Sequence, residues 1–483
     1  MPGFSRRLFL AATAGAAAAP ALAQVRPAPA PSAEVDVAIV GAGAAGIAAA
    51  RRVILEGRRV AILEASERIG GRCITDTAIF GVPFDLGAHW LHAPDINPLS
   101  KFSATAGVDV YPAPRGQKLK IGRRYAREGE TEDFLATVVR ANRAILDAAR
   151  GTTDMSCARA LPRDLGEWKG SVEFVLGPFG CAKDLSEVSA ADFARSGERD
   201  LDAFCRQGLG TLLSKLAEGL PVQLGTPVLS IASVRNGVEI ETPRGKINAR
   251  AVVVTASTNV LAGGAIRFAP ELPKRQLDAL QKLSLGSYER IALEMEGNPL
   301  NLQRDDLVFE KTDGIRTASI LANVSGTSLT YVDVAGSFGR ELASRGRKAM
   351  TDFAVEWLGG LFGTEIEKSI KRMHATQWFA EPFVQGAFSA ASVGGQPSRR
   401  ILMEPLRERI FFAGEAAHEM LWGTVGGAWE SGDRAAVAAL RFSGVGAAPA
   451  PEAKPQKPTR QRREPRAQTR PEPQQPTFRI LRE

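Results

Sequence analysis

Three glycines open the chemistry of this chain. Gly41, Gly43 and Gly46 stand in the run Val37-Ala38-Ile39-Val40-Gly41-Ala42-Gly43-Ala44-Ala45-Gly46, between an apolar stretch and an alanine-rich one. In a strand–turn–helix each glycine has a separate task. Gly41 makes the tight turn, Gly43 lets the backbone approach a pyrophosphate, and Gly46 lets the helix lie close to the sheet. The start of that helix, around Ala45, offers unpaired N–H groups and a partial positive charge to phosphates. Glu64 closes the next apolar run, Val60–Glu64, eighteen residues after Gly46. A carboxylate there accepts hydrogen bonds from both ribose hydroxyls and repels a 2′-phosphate. The pattern predicts a bound dinucleotide. A tight turn with no ligand would leave Glu64 unexplained.

The residues after Glu64 decide which dinucleotide. The segment Ala65-Ser66-Glu67-Arg68-Ile69-Gly70-Gly71-Arg72 sets two adjacent glycines between two arginines, a second anion cradle beside the first. A nicotinamide dinucleotide has no need of it. The arrangement resembles the extended fingerprint of glutathione-reductase-like FAD proteins and, within them, the flavin-containing amine oxidases. The resemblance runs through residues 35–442 in ordered blocks. Phe84-Asp85-Leu86-Gly87-Ala88-His89-Trp90-Leu91-His92 is similar to the family segment that passes along the flavin ring. Gly208, Gly210 and Leu220-Pro221-Val222 are similar to the return into the FAD domain, with Val228 where the family's backbone meets the adenine side. Phe411-Phe412-Ala413-Gly414-Glu415, followed by Gly423-Thr424-Val425-Gly426-Gly427, resembles the C-terminal FAD motif.

This resemblance implies an α/β fold: a glutathione-reductase-like FAD-binding domain with a second, α+β substrate domain. It implies a FAD domain drawn from residues 34–95, 205–265 and 400–442, and a substrate domain from 96–204 and 266–399. It also implies hydride transfer from the carbon next to an amine nitrogen to flavin N5, with oxygen or another electron acceptor taking the electrons onward. FAD contacts are expected from Gly41, Gly43, Ala45, Gly46, Glu64, Ala65, Arg68, Gly71, Arg72, Gly87, Ala88, His89, Trp90, Val228, Glu415, Thr424 and Val425. Trp378, Phe388 and Trp422 are expected in the substrate pocket. Monoamine oxidases tether their flavin to a Cys before a Tyr. Here the matching pair is Ala387-Phe388, so FAD is expected to be non-covalent, and Phe388 and Thr424 replace the paired tyrosines of the family's cage. The family's catalytic Lys matches Arg290, which keeps the charge but cannot release a proton. As a plain strand residue, Arg290 would pair with Glu289 or Glu294. His92 stands where polyamine oxidases carry a His near the substrate, a place for orienting the amine or passing its proton. L-amino acid oxidases hold their substrate carboxylate with an Arg at the position of Trp90, so a primary amine or polyamine is the expected small-molecule substrate. The alternatives in view are a dehydrogenase-like relative with an acceptor other than oxygen, an L-amino acid oxidase, and a flavin-binding protein of low turnover.

The elements that must position these residues are legible as patterns. Val35–Val40, Val60–Glu64 and Ala251–Thr255 read as buried strands. Ala44–Glu56 reads as a helix ended by Gly57, and Gly210–Gly219 as another. Thr131–Arg150 carries an apolar stripe of Phe134, Leu135, Val138, Val139, Ile145 and Leu146 at helical spacing. Asn236-Gly237 between alternating apolar runs predicts a hairpin. The chain of 483 residues is long enough for two domains. Its net charge of +8 sits mostly outside the expected fold, because residues 443–483 hold nine Lys/Arg against four Glu, and Arg6 and Arg7 add two more positive charges. A near-neutral body excludes an electrostatic case for nucleic acid. That Pro/Arg-rich tail is expected to be disordered, with at most weak surface contact through its charge. Residues 1–23, with Arg6-Arg7, an apolar run and Ala21-Leu22-Ala23, read as a twin-arginine-type signal peptide, and 24–33 as a linker. The expected location is periplasmic or secreted. None of Cys73, Cys157, Cys181 and Cys205 has metal-ligand spacing, so no metal is expected; disulfides and buried thiols both remain open.

Overall fold

The computed structural model describes residues 33–114, 116–196 and 201–442. The expected signal peptide, all of the linker but its last residue and the basic tail lie outside the described residues. Five parallel strands form the centre of the first sheet, in the order Val222–Gln223, Val60–Leu63, Ala33–Val40, Gly245–Val254 and Ile410–Phe412. Helices cover these strands, which explains their unbroken apolar runs. Val37–Val40 align with Val60–Leu63 on one side and Ala251–Val254 on the other. The expected run Ala251–Thr255 is therefore the end of a longer strand. That strand's first half pairs antiparallel with Gly237–Thr242, which turns through Asn236-Gly237 into Ser230–Val234, as the Asn-Gly signal implied. Arg267–Ala269 adds a last strand to this sheet, just past residue 265, where the sequence placed the domain's edge.

The first helix, Ala44–Leu55, ends where Gly57 takes a left-handed φ of +67° and Arg58 N donates back to Val53 O at 3.1 Å. It packs against the last helix, Val425–Phe442, over the core of Val37, Ile39, Ala49, Val53, Val253, Ala436 and Ala439. A Cβ at Gly432 would lie 2.0 Å from Ala45 O, so only glycine lets the two helices touch there.

A second sheet of seven strands stands apart, in the order Ile370–Ala375, Tyr288–Met295, Leu329–Ala335, Ser319–Leu321, Leu307–Glu310, Lys118–Ile121 and Arg124–Tyr125. Its neighbours run antiparallel except Leu307–Glu310 beside Lys118–Ile121. The helices Gly336–Ser344 and Arg347–Phe362 cover one face through Phe338, Leu342, Met350, Ala354 and Leu358. A small sheet joins Leu91–His92, Asp202–Cys205 and Val110–Pro112.

Several boundaries differ from the pattern reading. The long helix spans Glu128–Ala148 and buries Phe134, Val138, Ala141 and Ile145, while Val139 is exposed. The i, i+4, i+7, i+11 row faces the core, and an adjacent apolar residue such as Val139 falls about 100° off it. The helix expected from Gly210 spans Leu209–Leu216. All four cysteines are buried free thiols, which decides between the two readings left open. Burial pushes the thiols of Cys73, Cys157 and Cys205 up.

Gly432→Ala is expected to lower stability by about 1–3 kcal/mol, the usual cost of overpacking. A thermal melt of the purified protein, read with its flavin content, checks this.

Candidate active site

One cavity of about 730 Å³ runs between the two large sheets. Its first wall is built by the glycines. Gly41 turns with φ +101°, and a Cβ there would meet Thr255 Oγ1 at 2.5 Å. Gly46 does not reach the cavity: a Cβ on it would lie 1.9 Å from Gly41 O, so its task is the close return of the helix over the turn. Gly43 keeps open space on the cavity side, its nearest foreign atoms being 3.9 Å from an added Cβ. The second cradle docks on the first, with Gly70 N donating to Ala42 O at 2.9 Å. Glu64 is buried between them. Its Oε2 accepts from Ala42 N at 2.7 Å and its Oε1 from Ser66 N at 2.9 Å and Ser66 Oγ at 2.7 Å. The carboxylate thus fixes both turns while still facing the cavity.

Arg68 donates to Gly71 O at 2.9 Å and lies 6.0 Å from the Trp378 ring, and burial pulls its pKa down. Arg72 crosses to the other end of the chain. Its Nη1 donates to Ala387 O at 2.7 Å and to Glu415 Oε1 at 2.9 Å. Glu415 is the hub here: Ser389 N also donates to Oε1, while Ser389 Oγ at 2.7 Å and Gly423 N at 3.0 Å donate to Oε2. Burial alone would raise this carboxyl's pKa. Arg72, Ser389 and Arg399 outweigh burial and hold it below the usual carboxylate value. Thr424 caps the last helix, its Oγ1 accepting from Gly427 N at 2.9 Å, and Gly423, Thr424 and Val425 present that helix start to the cavity. Two helix N-termini therefore open on one space, which suits an anionic group at each.

The flavin-ring segment follows. A Cβ at Gly87 would lie 2.1 Å from Arg72 O and 3.0 Å from the Trp378 ring, so this position is held to glycine by close contact. Trp378 Nε1 donates to Leu86 O at 3.0 Å. Arg290 is buried beneath the segment. Its Nε and Nη2 clasp Asp333 at 2.9 and 3.0 Å, and its Nη1 donates to Asp85 O at 2.8 Å and Gly87 O at 3.0 Å. Burial lowers its pKa and the Asp333 carboxylate more than restores it, so the net shift is upward. The partner is thus Asp333 on the neighbouring strand. Glu289 faces the other side and accepts from Thr376 Oγ1, Trp378 N and Phe379 N, and Glu294 pairs with Arg372.

All the other residues expected to bind FAD or substrate line this cavity: Ala45, Ala65, Gly71, Ala88, His89, Trp90, Val228, Phe388 and Trp422 among them, with Arg290 and His92. His92 is partly exposed, its Nδ1 2.7 Å from Asp202 Oδ1 across the small sheet. His89 is buried, its Nδ1 2.7 Å from Asp85 Oδ2.

Other wall residues escaped the sequence reading. Val175–Phe179 forms a π-helical turn around Pro178, and Val175, Leu176 and Phe179 face the cavity. Gly177-Pro178 inside an apolar run was the available signal. Phe309 and Asp305, from the second sheet and its approach, had none. Behind Trp422, Arg399 is fully buried. It donates to both oxygens of Asp192 at 2.7 Å, to Ser389 Oγ at 3.2 Å and to Ala416 O at 3.1 Å, and sits 4.8 Å from the Trp422 ring.

A family model described as flavin-containing amine oxidoreductase matches residues 44–440. The chain belongs to the flavin-containing amine oxidoreductases. Lysine-specific histone demethylase 2 of Homo sapiens is 29% identical over 438 residues, covering 82% of this chain and 52% of that protein. Polyamine oxidase 3 of Oryza sativa subsp. japonica is 28% identical over 427 residues, covering 82% and 87%. The chain spans about half the length of the first curated relatives it matches. Cyclohexylamine oxidase from Brevibacterium oxydans IH-35A shares the fold, with a TM-score of 0.71 at 20% identity over 84% of this chain and 99% of that one. The family is flavin-containing, and the cofactor is FAD. The residues present fit that cofactor: an open glycine cradle at Gly43, the acid Glu64, and a second helix start at Thr424.

Glu415 supplies a pH test. Its lowered folded-state pKa means its stabilisation is complete above the unfolded value of about 4.3 and is lost as pH falls through the folded value. Acid titration followed by flavin fluorescence is expected to show release in that lower range. Glu415→Gln is expected to release flavin more readily at neutral pH and to lack this acid step.

Proposed function

We propose that this amine oxidoreductase converts a primary amine or polyamine to the imine and passes the electrons to oxygen, giving hydrogen peroxide. The observation that carries this reading is the continuity of one cavity from the glycine cradle to a wall of Phe179, Phe309, Phe388 and Trp422. When bound, FAD supplies a hydride acceptor at its ring. The chain supplies the surroundings. The aromatic wall excludes water, and desolvation favours the neutral amine, whose lone pair supports loss of the hydride. The N–H groups at Thr424 and Val425 favour negative charge nearby. His92, oriented by Asp202, stands at the wall as a proton acceptor. Trp90, where amino acid oxidases carry an Arg, supports amines over amino acids.

Arg290 favours a second reading, an electron acceptor other than oxygen. Four of its N–H bonds point to Asp333, Asp85 O and Gly87 O. A guanidinium so engaged holds the flavin-ring segment rigid and neither gives up nor relays a proton.

The leader's Arg6-Arg7 and Ala21-Leu22-Ala23 support export by a twin-arginine-type route to the periplasm or beyond. The basic tail supports weak surface contact.

Anaerobic mixing with amines, polyamines and amino acids tests the substrate class. Bleaching of the flavin absorbance by an amine is expected, and no bleaching by any amine refutes the reading. Air is then admitted. Rapid recovery supports oxygen as acceptor, and slow recovery supports the second reading. In that case Arg290→Lys is expected to speed recovery by at least about tenfold, a barrier change of about 1.4 kcal/mol.

A further inference from the structure

The cavity lies where the parallel strands of the first sheet end. The surface at their beginnings is of another kind. Ala45 touches Gly432, and from there the first and last helices each run ten residues away from the cavity, about 15 Å, to Leu55 and Phe442. Leu55 is 76% exposed, and Ile54 and Phe442 are each 43% exposed. Arginines gather at the same end. Arg59, Arg250 and Arg409 directly precede three paired rows of the sheet, Val60 with Val37, Ala251 with Val37 and Ile410 with Val252, so they stand at nearly one height. Arg59 and Arg250 flank the buried Asp36 carboxylate at 3.5 and 3.6 Å, and Arg409 Nη1 donates to Arg250 O at 3.3 Å. Arg58, Arg407 and Arg441 complete the set. The acids nearest to them in the chain, Glu34, Asp36, Glu56 and Glu408, are fewer.

The charge of the whole chain is attached here too. Residues 1–32 carry Arg6, Arg7 and Arg26 and no acid, while residues 443–483 carry nine Lys/Arg against four Glu. All of the net charge of +8 is therefore joined to the fold at Ala33 and Phe442, and residues 33–442 are neutral. The first strand begins at Ala33 and the last helix ends at Phe442, both on the side away from the cavity. Loss of a leader ending at Ala23 leaves Arg26 and the tail, still strongly positive.

We propose that this end of the FAD-side sheet rests on an anionic phospholipid surface, with Ile54, Leu55 and Phe442 entering the headgroup region and the arginines meeting lipid phosphates. Guanidinium groups pair with phosphate oxygens, and cations close to such a surface are attracted within a Debye length. Exposed apolar side chains set among cations are what an interface of water and lipid accommodates. A soluble polyanion would engage the arginines and leave the three apolar side chains in water. Seated this way, the protein keeps its cavity on the side away from lipid. The contact is made by a folded face, beyond any made by the tail, and is the same whichever amine or electron acceptor the site takes.

The test floats the full FAD-loaded chain with vesicles of phosphatidylcholine alone, or of phosphatidylcholine with an equal part of phosphatidylglycerol. The lipid concentration that binds half the protein is expected to be at least about tenfold lower for the mixed vesicles at low salt, and added salt is expected to narrow the gap. Arg407→Gln combined with Arg441→Gln is expected to raise that concentration at least about tenfold for mixed vesicles. Leu55→Ser combined with Phe442→Ser is expected to raise it at least about fivefold, with flavin content unchanged. Should that pair lose its flavin, Ile54→Ser decides. Equal binding to the two vesicle types overturns the proposal. Mixed-vesicle binding that neither pair weakens also overturns it and assigns the contact to the tail. Binding that only the arginine pair weakens, and that inorganic polyphosphate matches, overturns the bilayer in favour of a soluble polyanion.

Discussion

The buried carboxylate of Glu415 is the constraint on which the site depends. It lies at the end of a parallel strand and gathers Arg72, Ser389 and Gly423, three segments far apart in the chain. A buried charge is tolerated only when it is paired and its lone pairs are filled. Meeting that requirement pulls the second glycine cradle, the cage segment around Phe388 and the start of the last helix to one point. Behind it the Asp192–Arg399 pair repeats the logic, tying a short helix of the substrate side to Ser389 and backing the Trp422 ring.

The same economy of contacts shapes the flavin-ring segment. Arg290 joins the second sheet to Asp85 O and Gly87 O, so the strand Tyr288–Met295 holds a loop of the FAD side in place. Asp85 turns from that contact to orient His89. Arg290, at the position expected to match the family's Lys, is here a brace whose donors face protein.

Glycines set the tolerances. Gly46 lets a helix fold back over its own turn, Gly87 lets its segment lie against Arg72 O, and Gly432 lets two helices touch so that both starts open on one cavity. These contacts are backbone approaches that any Cβ would block, which is why short motifs carry so much of the fold.

Much was legible in the residues alone. Gly41, Gly43, Gly46 and Glu64 are close in sequence, and their chemistry is local, so strand, turn, helix and acid could be read in order. The hairpin at Asn236-Gly237 and the helix stop at Gly57 are local for the same reason: each depends on the φ available to one residue. The cofactor followed from a second cradle a few residues downstream. What tertiary structure decided was everything that depends on distant partners. The buried face of Glu128–Ala148 was set by packing, which left Val139 in solvent. Arg290 found Asp333 on a neighbouring strand: Glu289 beside it points to the opposite face, and Glu294, four residues on, is held by Arg372. Asp305, Asp192 and Arg399 carried no motif, and His89 with its free Nε2 could be told from His92 only by what surrounds each ring. A motif records what a few neighbouring residues can do. Burial, charge pairing and an unpartnered polar atom exist only once residues remote in sequence share one low-dielectric space.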